Sequence, residues 1–64
     1  MFANVESVEE VGRGLKVVIA ETGAPATWPC SYATKIDDKL VKLTGWLARA
    51  HAAHLRENGV PVDP

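Results

Sequence analysis

His51, His54 and Glu57 recur at intervals of three, and on a helix all three can point to one side, as a partial metal site would require. Three ligands from one helix do not complete a site. Closure needs Cys30, the only cysteine in the chain, or a second molecule. A histidine at the end of an apolar stripe is more often packed into a core or favoured by the helix C-terminus, so no metal and no cofactor is expected. Cys30 as a nucleophile would need its pKa depressed by a helix N-terminus or a histidine. No base lies near it in the sequence, and inert packing is the expected role. Gly12-Arg13-Gly14 lacks the other parts of a phosphate loop. Asp37 and Asp38 would project about 100° apart on a helix and make no acid/base pair. No catalytic residue emerges, and a non-enzymatic protein is expected.

A second constellation is electrostatic. Lys35, Lys42, Arg49 and Arg56 recur every seven residues, with Lys39 close by and Trp46 beside them. A ridge of cations with an aromatic side chain suits phosphates, through charge neutralisation and stacking. These four are the candidate anion contacts. Against that use, Glu6, Glu9, Glu10 and Glu21 can balance a solvated face, and a net charge of −1 excludes a globally basic nucleic-acid binder.

The element expected to carry both constellations is one amphipathic helix over residues 35–57. At about 100° per residue, Leu40, Leu43, Leu47, Ala50 and His54 align with Ile36 as one stripe. Thr34 with Asp37 resembles a capping box, while Asn58-Gly59 and Pro61 mark the stop. Val41, Ala48, Ala52 and Leu55 line a second apolar flank, which predicts a subunit interface.

For the first half the caps and the periodic face predict a helix over about 7–22. Ser7 and Glu10 form a capping box, and Val8, Val11, Leu15, Val18, Ile19 and Thr22 share a face. Together these give an all-α fold: a two-helix hairpin with a long packed loop, completed by oligomerisation. The competing reading rests on Gly12, Gly14 and the β-branched run Val17-Val18-Ile19. It is an α+β fold with a β-hairpin at about 15–21 and 27–32 packed on the C-terminal helix, its second strand an edge because of Pro29. Trp28 and Tyr32, with Trp46, join the predicted interface, since aromatic residues dominate binding hot spots.

At 64 residues the chain makes a single small domain, 1–64, with an extended tail at 59–64. A domain this small buries only about 60% of its unfolded surface, and its core asks for support. One cysteine excludes an internal disulfide. Association remains, as a homodimer or as a subunit of a larger assembly. The function classes, in order, are a structural or adaptor subunit acting through protein contacts, as in small phage proteins; a regulator or inhibitor binding a protein through its helix face; and a nucleic-acid binder using the basic ridge. No segment spans a membrane and no signal peptide is recognisable, so a cytoplasmic location is expected, or a virion-associated one if the protein is phage-encoded.

Overall fold

A computed structural model describes residues 1–62. Five strands are followed by one helix: β1 Phe2–Val11, β2 Gly14–Ile19, β3 Pro25–Pro29, β4 Ala33–Asp37, β5 Leu40–Leu43 and α1 Gly45–Glu57. The strands form one sheet in the order β3-β2-β1-β5-β4, and every neighbouring pair is antiparallel. The all-α hairpin is therefore overturned. The α+β alternative fits, with its hairpin present as β2 and β3.

The first expected helix fails at its glycines and β-branched residues. Gly12 has φ +58° and opens a two-residue loop between Val11 and Gly14, which face each other across β1 and β2. Glycine at the first position of so short a loop matches the twist of the flanking strands. Along β2, Leu15, Val17 and Ile19 are buried while Lys16 is exposed, the period of two that a half-buried strand requires. Val11, assigned to the core face of a helix, is exposed.

The long second helix is broken at Asp37-Asp38-Lys39. There the Lys39 N–H donates to Asp37 Oδ1 at 2.7 Å, a side-chain turn that starts β5 antiparallel to β4. Val41 and Leu43 then face inward and Lys42 outward. The helix begins only after Thr44, whose φ of −133° and ψ of 163° are extended. Its end lies where the sequence put it. Gly59, at φ +75°, lets the Val60 N–H reach the Leu55 carbonyl at 2.9 Å and its own N–H reach that of Arg56 at 3.1 Å. Both bonds of a Schellman cap are thus made. Nothing lies within 4 Å of a Cβ added at Gly59, so Gly59→Ala should cost only the left-handed conformation. That is about 1–2 kcal/mol, seen as a melting point roughly 4–16 °C lower.

β1 serves both halves of the sheet. Phe2, Ala3 and Asn4 pair with β5, and from Val5 onward the strand pairs with β2 across a register shift between Val5 and Ser7. Lys39 closes this corner: its carbonyl accepts the Val5 N–H at 3.0 Å and its Nζ donates to the Glu6 carbonyl at 2.6 Å. Both edges are blunted, β3 by Pro25 and Pro29 and β4 by its length of five residues, Lys35 and a bulge between Lys35 and Asp37, the usual means of preventing strand-to-strand association. The core joins Ala3, Val5, Leu15, Val17, Ile19, Trp28, Ala33, Val41 and Leu43 of the sheet to Leu47 and Leu55 of α1. Val60 and Val62 pack against it. Asp63 and Pro64, the rest of the expected tail, lie outside the described residues. No helix of the described residues is long and apolar enough to cross a membrane.

Candidate functional site

Two large aromatic side chains left outside this core meet where the segment before β4 adjoins the start of α1. Trp46 is 54% exposed and Tyr32 40%. Tyr32 and Trp46 meet edge to face, with ring centroids 5.7 Å apart and planes at 64°, a geometry favoured by the aromatic quadrupole. Two backbone devices hold the pair. The Thr44 N–H donates to the Tyr32 carbonyl at 2.9 Å, fixing the segment before β4 against the one after β5. Gly45 at φ +61° turns the chain into α1 directly beneath the tyrosine, where an added Cβ would sit 3.1 Å from Tyr32 Cδ1. Gly45→Ala should therefore both strain the backbone and displace the ring. The expected cost is about 1–3 kcal/mol, with loss of the Tyr32–Trp46 ring-current shifts in a proton NMR spectrum.

Phe2 and Thr34 flank Lys42 across the strands, on the outward side of the sheet and in line with Thr44. Arg49 stands one turn beyond Trp46 on α1. The Tyr32–Trp46 pair thus has Arg49 as its cation on α1, whereas Lys42 and Phe2 lie on the face of the sheet turned away from α1. The one ion pair of the described residues joins Lys35 to Asp38 at 3.5 Å, so Lys42 and Arg49 have no acidic partner there.

The second cluster lies on the inner side of α1. His51 is 3% exposed, and neither ring nitrogen has a hydrogen-bond partner among the described residues. Trp28 meets it edge-on at 5.4 Å and 79°. Burial pushes its pKa below the ordinary 6.5, with Glu21 pulling it back up and His54 adding to the depression. The imidazole is therefore neutral in the fold near pH 7. Because the unfolded chain takes up this proton first, stability is complete above pH 6.5 and declines as pH falls from there towards the lowered folded value. His54 is held apart, its Nε2 3.0 Å from Thr22 Oγ1.

A third feature is a groove of about 470 Å³ over β1, β2 and β3, lined by Ser7, Val8, Glu9, Lys16, Val17, Val18, Pro25, Ala26 and Thr27. Glu9 and Lys16 oppose each other directly across the strands, so its charges balance within the fold.

These placements redraw the sites expected from sequence. Val41, Leu55 and Trp28 are buried in the chain's own core, and Ala48 and Ala52 are half-buried beside it; they form no free flank. Of the predicted interface, Tyr32 and Trp46 are brought together at the surface. The heptad ridge is divided: Lys35 lies on β4, Lys42 on β5, and only Arg49 and Arg56 share a helix. His51 turns inward, His54 goes to Thr22 and Glu57 is exposed, and no group of three metal-ligating side chains exists among the described residues. Cys30, expected to be packed, is exposed. The strand that begins at Phe2 was missed, although an aromatic residue beginning an alternating Phe2-Ala3-Asn4-Val5 run is a strand signal.

No protein-family model matches the chain, nor does any curated protein or solved structure.

Proposed function

We propose that this chain is a non-enzymatic structural or adaptor subunit that binds another protein through the surface of Tyr32, Trp46 and Arg49. The observation that carries the reading is the exposed Tyr32–Trp46 pair, held by a glycine at positive φ. Large aromatic side chains fixed at a surface are what binding hot spots use, and this fold does not need them to close its core. The partner is distinguished by charge. An isologous homodimer of this surface would bring two Arg49 guanidinium groups into one interface, whereas an acidic segment of a different protein would pair with Arg49.

The test is a titration of the whole chain with a synthetic peptide alternating glutamate with leucine and phenylalanine, read by the emission of Trp46, with Trp46→Phe as control. Saturable change that weakens with salt is expected. A second reading has the same anionic chemistry: bases stacking on Tyr32 and Trp46 with a phosphate at Arg49. A single-stranded oligothymidylate run in parallel separates them. Response to the oligonucleotide alone transfers the surface to nucleic acid, and response to neither probe overturns the anionic-partner reading. Light scattering at two concentrations adds the remaining case, since a stable dimer of the chain alone would show that a second copy is the partner.

A further inference from the structure

We propose that His51 is an acid-sensitive latch: its imidazole must be uncharged for α1 to lie on the sheet, and protonation frees the helix and disperses the Tyr32–Trp46 pair. The last consequence rests on the binding surface proposed above; the latch itself does not.

The inner face of α1 consists of Leu47, His51 and Leu55, with the histidine at its centre. At 3% exposure it occupies a position that an apolar residue would fill without any polar requirement. Both ring nitrogens lack partners among the described residues. A neutral imidazole tolerates this at modest expense, but an imidazolium carries two N–H donors and a charge, and burying these unpaired is far more costly.

The surroundings offer no ready acceptor. From β1 the inward residues are Ala3 and Val5, from β2 Leu15, Val17 and Ile19, from β4 Ala33 and from β5 Val41 and Leu43. β3 presents Trp28, its ring at 79° to the imidazole with centroids 5.4 Å apart. Of the titratable groups, Glu21 in the β2–β3 turn is exposed and attracts a proton to His51, while His54, one turn along α1, repels it. Glu10 shares the row of Leu15 and Trp28 but is exposed at the far end of β1. Lys35, in the row of Val41, is paired with Asp38. The Thr22 hydroxyl is already bonded to His54.

Opening should be local because α1 is held to the sheet by side chains. The strands, by contrast, are held to one another by ladders of backbone hydrogen bonds. Elements of that kind open first in native-state exchange.

The experiment uses the whole chain between pH 8 and 4.5. It follows the imidazole Cε1 protons, assigned with His54→Ala, the near-ultraviolet dichroism of Trp28, and amide exchange in β1, β2 and α1. Below pH 6.5 the open population should rise by up to about tenfold per pH unit. The α1 amides should lose protection while those of β1 and β2 keep it, and His51→Leu should keep the helix docked to lower pH. The latch is overturned if His51 titrates at 6.5 with the Trp28 signal intact, if strands and helix lose protection together, or if His51→Leu opens at the wild-type pH. Should that variant fail to fold, the wild-type readouts decide. No partner is used, so failure of the latch and failure of the binding surface are told apart.

Discussion

Leu15→Glu is expected to abolish the cooperative thermal transition at neutral pH. Leu15 is 1% exposed and lies on β2, between Glu10 of β1 and Trp28 of β3. No cation faces it from either neighbour, and Glu10 would add like charge. An unpaired carboxylate taken out of water costs several kcal/mol even after the group raises its own pKa. A domain of 64 residues seldom has more than about 3–5 kcal/mol to lose. The graded control is Leu15→Ala, which removes contacts without adding charge and should cost about 2–5 kcal/mol. A Leu15→Glu chain with wild-type near-ultraviolet dichroism and a cooperative melt would show that the sheet interior is not where the fold is held.

The same reasoning limits what surface mutagenesis can say about partners. Val41→Glu and Leu55→Glu place charges at residues that are 0% and 4% exposed, so lost binding in either would report unfolding. Residues that can be changed without harm to the core are those on the aromatic surface. That distinction was hidden in the sequence, because Val41 and Leu55 lie on one flank of an imagined helix. In the protein they sit on different elements and face the same interior.

What the sequence made legible were the local signals that tertiary packing also satisfies. Asn58-Gly59 ends the helix because a left-handed residue is needed there and glycine supplies it. Leu47 faces the core because the segment really is helical from Gly45. Pro29 marks β3 as an edge strand because it has no N–H for a further ladder. The misreadings came from positions where two periods coincide. In Leu40-Val41-Lys42-Leu43, spacings of three and four from Ile36 mimic a helical stripe, yet Val41 and Leu43 are the buried pair and Ile36 is 49% exposed. Ser7 and Glu10 have the spacing of a capping box, but β1 runs through both. Glycines at positions 12 and 45 carried the correcting signal. Each adopts positive φ, one to close a hairpin and the other to start the helix ten residues later than the periodicity suggested. The histidine cluster divided for a similar reason: three residues on one helix share a side, but only a buried sheet decides which of them turns inward.

Trp46→Ala should lower affinity for an acidic peptide by about 30-fold or more, equivalent to roughly 2 kcal/mol, while moving the unfolding free energy by no more than about 0.5 kcal/mol. The asymmetry follows from where the indole spends its surface. It is 54% exposed and touches the tyrosine edge-on, so the free chain gains little from it and a bound chain would gain the area it leaves in water. Tyr32→Ala should behave alike but with a larger effect on stability, since its ring also covers Gly45. Coupling between the two is expected because each ring positions the other. Their double mutant should therefore lose less than the sum of the single losses. Arg49→Glu supplies the electrostatic control. It stands one turn along α1 from Trp46 and is exposed, so reversing its charge should slow association, and raising the ionic strength should shrink that difference. Equal affinity of wild type, Trp46→Ala and Tyr32→Ala for the peptide would remove the aromatic pair from the binding surface. An unchanged salt dependence in Arg49→Glu would separately remove the cation from it.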